Sequence, residues 1–474
     1  MLEADKKGAV KMRREHDSIG VLAVPEEAYY GVQSLRGQEN FPITGQRLHP
    51  QLIRALAEVK KAAARSNRDA GLLARDKAEA ILRACDEVIA GGLQGAFIVD
   101  PIQGGAGTSA NMNANEVIAN RAIELLGGEK GDYSLIHPND HVNMGQSTND
   151  VFPTAGKIAA VRLLRAARGE LCRLRAALEE KALEFDDVLK MGRTQLQDAV
   201  PVRLGQSFAA WAAAARRDEA RLVTAEEKLL VVNLGGTAIG TSLNADPRYL
   251  QRVVPALAEL TGLPLRRADD LIDATQNLDC FVEVSGLLKT CAVDLSKLAN
   301  DLRLLSMGPR AGISEIALPA RQNGSSIMPG KVNPVLPEVV NQVAFRIMGN
   351  DATITLAAEA GQLELNAFEP VLLYSLFESA ELLRNAVRTF VDHCVTGIRA
   401  ERENCRRMVE RSAGVAAALC PLIGYERSAV LAKEAVREEV PVRLLAEREG
   451  VLPAEQLQEV LEPLHMTGPA RCGA

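Results

Sequence analysis

The chain has 474 residues, 47% of them apolar and 24% charged, with a net charge of −6. These values fit an ordinary globular protein of two to four domains and give no electrostatic basis for binding nucleic acid or an anionic membrane. The longest apolar run, Phe208 to Ala215, is far too short to span a bilayer.

The opening stretch MLEADKKGAVKMRREHD is charged and lacks an apolar core, so no signal peptide is expected. The eight cysteines, at 85, 172, 280, 291, 394, 405, 420 and 472, include no C-x-x-C pair. That spacing suggests neither a zinc site nor a redox motif and fits a reducing cytoplasm. Up to residue 147 the chain reads as a mixed-helical domain, its shorter helices punctuated by Gly91-Gly92, Gly104-Gly105, Gly107 and Gly127-Gly128. Within it, GGAGTSANMN (104–113) gathers Thr108, Ser109, Asn111 and Asn113. His137 lies in HPNDHVN, where the residues read as a structural turn beside Pro138.

GQSTND (145–150) carries Ser147, Thr148, Asn149 and Asp150. A central domain, 148–400, holds five long helical patterns at roughly 157–188, 204–232, 277–307, 337–361 and 369–398. In the third, Val284, Leu288, Cys291, Leu295, Leu298, Leu302 and Leu305 recur at alternating spacings of four and three, the narrow seam of a helical bundle. Leu164, Ala167, Leu171, Leu174 and Leu178 repeat that seam in the first. GRTQLQDA (192–199) brings Arg193, Thr194, Gln195 and Gln197. Strand-like alternation is scarce. From 401 to 474, denser charge and Gly414, Gly424 and Gly450 mark a small helical C-terminal domain.

The densest signal is GSSIMPGKVNP, 324–334. Two prolines and two glycines make it a loop. Ser325 and Ser326 offer hydroxyls, the glycines uncrowded N–H groups, and Lys331 a positive charge, a set suited to an anion. The three earlier polar segments share this donor-rich character. Each comes before a helical pattern, where N–H groups and the helix dipole favour carboxylates. A helix cap is the alternative reading of each segment taken singly.

Together with AYYGVQSLRGQENFPITG (28–45), TAIGTSLNADPRYL (237–250), DDLIDATQN (269–277), AEAGQLELN (358–366) and EPLHMT (462–467), these segments resemble the signature regions of the aspartase/fumarase superfamily, in order and over almost the whole chain. VNPVLPEVVNQVAFRIMGND and AEAGQLELN resemble the aspartase branch. The resemblance implies a mainly α, three-domain lyase whose central five-helix bundle assembles into a multi-helix tetramer core, with active sites shared between three subunits. It implies reversible deamination of L-aspartate to fumarate and ammonia, with a class II fumarase and a non-catalytic structural tetramer as alternatives. Ser325 matches the general base. Thr108, Ser147, Thr148 and Ser326 match the groups that hold the aci-carboxylate formed when Cβ loses its proton. Lys331, Asn333 and Thr194 match the grip on the α-carboxylate, and Asn149 the contact to the amino group. No cofactor is implied as required, with room for activation by a divalent cation such as Mg, for which no ligand set is identified.

Gln195 departs from the fumarase pattern, which has histidine there paired with a glutamate at the position of Glu338. Glutamine moves no proton. Water needs an acid to leave, whereas an ammonium group leaves as neutral ammonia, so Gln195 favours a deaminase. Glu338 without its histidine either keeps a role in the site or only favours the start of a helix at Pro337. The resemblance to related fumarases also implies a second, non-catalytic anion site lined by HPNDHVN with His137, as the alternative to a structural turn.

Overall fold

The computed structural model describes residues 11–468; Cys472 and the first ten residues of the charged N-terminus lie outside the described residues. The described chain divides into two compact units. One comprises the chain through Ala167, Arg221–Lys289 and Arg346–Leu382; the other comprises Arg168–Ala220, Thr290–Phe345 and the chain from Leu383 onward. The fold is mainly helical, and the described strands form only two-stranded sheets.

The first unit opens with an antiparallel hairpin of β1 (Met12–His16) and β2 (Val21–Pro25), followed by α1 (Val32–Asn40), α2 (Pro50–Asp69), α3 (Arg75–Ile89) and α4 (Thr108–Leu125). Pro50 begins α2, where its missing N–H costs nothing, and the His49 ring nitrogen accepts the Gln51 N–H at 3.0 Å. Leu52, Leu56, Val59 and Ala63 form its buried face. The start of α1 is held by the buried Glu116 carboxylate, which accepts the N–H groups of Gly31, Gln33 and Ser34. Burial nonetheless raises the pKa of Glu116.

The five long helices are α5 (Thr148–Glu184), α6 (Leu204–Lys228), α10 (Asp279–Leu305), α11 (Val335–Glu359) and α12 (Glu369–His393). Between α6 and α10 lie the parallel pair β5 (Val231–Val232) and β6 (Arg266–Arg267) and the short helices α7 (Pro247–Leu250), α8 (Val253–Thr261) and α9 (Asp273–Gln276). Each unit contains a stretch of all five long helices. The predicted seams are buried, apart from the half-buried Leu305.

α5 starts nine residues before the predicted boundary, because Pro153 lies inside it. Proline has no N–H for the carbonyl of Asn149 four residues back. The Asn233 side-chain amide donates to that carbonyl instead, at 2.9 Å, and the helix runs through.

In the second unit the segment 192–199 lies ahead of α6, as the sequence reading has it, but a strand separates it from the helix start. It forms the tip of an antiparallel hairpin, β3 (Leu189–Thr194) and β4 (Gln197–Arg203). Gln195 and Leu196 both take positive φ, 53° and 64°, the conformation a two-residue turn needs to match strand twist. The scarcity of alternation hid this strand pair, because its tip is polar and exposed. Beyond α12, the helices α13 (Arg402–Arg411), α14 (Tyr425–Glu438), α15 (Val442–Arg448) and α16 (Ala454–Val460) close around Val409, Leu419, Leu431, Leu445 and Leu457, a core that also takes in Met191 of β3.

Candidate active site

Four of the ten predicted site residues lie in the first unit. Thr108 is the first residue of α4. Its hydroxyl donates to the Gly105 carbonyl at 2.7 Å, so it must rotate to reach any substrate. Ser147 precedes α5 and forms a capping box with Asp150: the Ser147 hydroxyl oxygen accepts the Asn149 N–H at 3.3 Å, and Asp150 Oδ1 accepts the Ser147 N–H at 2.9 Å. Thr148 Oγ1 accepts from the Asn111 amide at 3.1 Å. The Asn149 amide donates to the Ala238 carbonyl at 2.7 Å, leaving its Oδ1 as an acceptor.

Asp150 anchors this segment. Fully buried, it also accepts the N–H groups of Gly235 and Thr237 through Oδ2, both at 3.0 Å. Burial lifts its pKa to about 6, against the pull of those N–H groups and of Lys60. Lys60 of α2 is likewise fully buried, and burial lowers its pKa to about 7 despite the nearby Asp150. Its ammonium donates to Asn143 Oδ1 at 2.7 Å and to Gln146 Oε1 at 3.0 Å. Sequence reasoning gave Lys60 no role, because in AEVKKAAAR it looks like any lysine on a helix face.

The other six predicted residues lie in the second unit. Thr194 and Gln195 are exposed at the hairpin tip, beside a cavity of about 530 Å³ lined also by Arg193, Trp211, Lys297 and Asp301. Below the tip, the fully buried Glu315 pairs with Arg193 at 2.7 Å and Lys190 at 3.1 Å, fixing the hairpin's first strand. Ser325 lies in the 324–334 loop, and its Oγ accepts two backbone N–H groups, from Ile327 at 3.2 Å and Met328 at 3.0 Å. The loop is pinned at its base. Gly324 N donates to the Lys331 carbonyl at 2.8 Å, and the Asn333 amide donates to the Gly324 carbonyl at 2.9 Å. Ser326 and Lys331 are exposed. Glu338 sits in the first turn of α11, where its charge suits the helix dipole.

His137 caps the turn 138–142: its Nδ1 accepts the N–H groups of Asn139 and Asp140, both at 3.2 Å. Among the described residues, no group of three His, Cys, Asp or Glu side chains could hold a metal ion. No helix among them is long and apolar enough to cross a membrane.

Residues 20–349 match the family model described as Lyase, and residues 415–468 match Fumarase C C-terminus. An aspartate ammonia-lyase of a Bacillus species is 54% identical over 462 residues, 98% of this chain and 99% of that protein. Among solved structures, the fumarate lyase:delta crystallin of Brucella melitensis bound to cobalt is 51% identical, with a TM-score of 0.94 over 97% of this chain and 100% of that one. The recombinant class II fumarase of Schistosoma mansoni is 36% identical, with a TM-score of 0.93 over the same shares.

Proposed function

The chain belongs to the aspartase/fumarase superfamily of lyases, and from that premise we propose that it is a carbon–nitrogen lyase of the aspartate ammonia-lyase type, interconverting L-aspartate with fumarate and ammonia. The carrying observation within the site is the environment of Ser325. A serine hydroxyl is too weak an acid to serve as a base at neutral pH unless its alkoxide is stabilised. The two N–H groups aimed at Oγ supply that stabilisation. A preorganised donor to an oxyanion contributes roughly 2.7–4 kcal/mol.

In this reading Ser325 takes a proton from Cβ. The C–H electrons move into the β-carboxylate, giving an aci-carboxylate held by Thr108, Ser147, Thr148 and Ser326. Those electrons return to form the Cα–Cβ double bond as the C–N bond breaks and ammonia departs. Thr194, Lys331 and Asn333 grip the α-carboxylate, and Asn149 Oδ1 receives the ammonium group. Gln195 contributes a neutral amide. No acid is needed for the leaving group. No step runs through a metal, and a divalent cation such as Mg would act only as an activator.

The assembly we propose is a homotetramer with active sites shared between three subunits. It is supported by the exposure of the donors Thr194, Gln195, Ser326 and Lys331, and of Val339, Phe345 and Leu356 on α11. A cytoplasmic location fits the seven free cysteines among the described residues.

The test is to mix purified protein with L-aspartate, and separately with L-malate, and follow fumarate absorbance. Fumarate is expected from aspartate; fumarate from malate alone would mark a hydratase. Ser325→Ala should abolish turnover while preserving the oligomer seen by light scattering. Undiminished activity would remove Ser325 as the base.

A further inference from the structure

Lys60, Asn143 and Asn111 form a chain of hydrogen bonds, buried at Lys60 and Asn111 and half-buried at Asn143, that ends on Thr148. Lysine only donates. Its ammonium therefore turns the oxygen of Asn143 and the oxygen of Gln146 towards itself. The opposite ends of both amides are occupied by carbonyls. Asn143 Nδ2 donates to Gln146 O at 3.2 Å, and Gln146 Nε2 donates to Val142 O at 3.1 Å and Met144 O at 3.2 Å. Neither amide can flip without losing bonds at both ends.

The orientation passes on. Asn143 Oδ1 also receives the Asn111 amide at 3.3 Å. The same amide nitrogen donates to Thr148 Oγ1 at 3.1 Å. Asn111 is buried, and its Oδ1 has no hydrogen-bond partner. Flipping it would set oxygen against the oxygen of Asn143. A hydroxyl has a single proton, so a Thr148 oxygen that must accept from Asn111 is left to donate that proton elsewhere.

We infer that Lys60, Asn143 and Asn111 are positioning residues that set the polarity of the Thr148 hydroxyl, forcing it to present its proton to the substrate carboxylate. The inference rests on the proposed lyase reading, in which Thr148 faces the β-carboxylate. The charged and titratable groups around Lys60 are Asp150 and Cys85. Deprotonation of Lys60 would give it a lone pair, but the amide nitrogens of Asn143 and Gln146 remain held by the carbonyls of Gln146, Val142 and Met144, so the polarity survives a rise in pH.

The test compares Asn111→Asp with Asn111→Leu in the full-length protein, by steady-state kinetics with L-aspartate and by thermal melting. Aspartate at 111 would accept the Thr148 proton and turn its lone pairs towards the substrate. Leucine removes the direction without reversing it. Asn111→Asp is expected to lower kcat about 100-fold, within the 10²–10³ range for loss of an oxyanion donor. Asn111→Leu should lower it less than tenfold, whichever variant melts lower. Equal losses in the two variants, or losses that follow melting temperature, would overturn the polarity relay and leave a packing role. Should Asn111→Asp not fold, Asn143→Leu, which frees the Asn111 amide, is read in the same assay: a severalfold fall in kcat supports the relay and wild-type kcat overturns it. Failure of the underlying reading is distinct, because the wild-type protein would then release no fumarate from aspartate.

Discussion

Gly324→Ala tests whether the loop around Ser325 works by its fixed shape. The added Cβ would lie 2.6 Å from the Lys331 carbonyl oxygen and 3.0 Å from Asn333 N. Ordinary contact begins near 3.4 Å, so the 331–333 strand of the loop must retreat by about 0.8 Å. Gly324 does not have positive φ, so alanine suits the backbone and only the contact is at issue. The same retreat stretches the bonds from Gly324 N to Lys331 O and from Asn333 Nδ2 to Gly324 O. Each contributes roughly 0.5–1.5 kcal/mol. The loop is largely exposed, so this loss stays local and the melting temperature should barely move. Activity should move far more, since a misplacement of about 1 Å costs on the order of 100-fold. The assay is kcat/KM for L-aspartate beside a thermal melt. Gly330→Ala is the control. It meets nothing within 4 Å and carries only the strain of φ +81°, roughly 1–2 kcal/mol. Wild-type kcat/KM in Gly324→Ala, or a larger loss in Gly330→Ala, would refute the argument from shape.

Two other outcomes follow from buried or half-buried charge. Glu315→Gln strands Arg193 and Lys190 beneath the hairpin and should destabilise the protein by roughly 3–5 kcal/mol, read by denaturant unfolding; a change below about 1 kcal/mol would show that the pair is not structural. His141 accepts the His137 N–H on Nδ1 at 2.7 Å and faces Lys77 at 3.2 Å, with Asp140 and His137 also nearby. Burial, then Lys77, lowers its pKa, so the unfolded chain takes up that proton more readily than the folded one. Its contribution to stability is complete above the ordinary histidine value and is lost as pH falls below it. NMR titration should place the His141 midpoint below 6.5, and a midpoint at or above that value would contradict the geometry.

The long helices were legible because burial of one face imposes a period, and Val284 through Leu302 keep it without a break. The 324–334 loop was legible because glycine and proline are local instructions. The hairpin at 189–203 was not, because the pairing of Arg193 with Asp198 and Thr194 with Gln197 places polar residues opposite one another, with no alternation to read. Nor was the start of α5, where one side chain, Asn233, replaces the donor that Pro153 lacks across 80 residues of sequence. Lys60 was invisible for the same reason. A lysine on an amphipathic helix is ordinarily solvated, and only tertiary packing shows this one enclosed against Asn143, Gln146 and Asp150.

The same local physics separates the proposed base from the proposed binding hydroxyls. Ser147 and Thr148 each accept one N–H, at 3.3 and 3.1 Å, whereas Ser325 accepts two, at 3.2 and 3.0 Å. One further donor to an oxyanion contributes roughly 2.7–4 kcal/mol, so the extra N–H favours ionisation of Ser325 over the other two. The neighbours push the same way. Asp150 Oδ1 accepts the Ser147 N–H at 2.9 Å, so ionising the Ser147 hydroxyl would set a second negative charge inside the same capping box. Ser325 shares its loop with the cation Lys331. In the proposed reading, three hydroxyls of similar intrinsic acidity are thus divided by their donors and neighbouring charge: Ser147 and Thr148 hold their protons to bind an anion, and Ser325 gives its proton up to become a base.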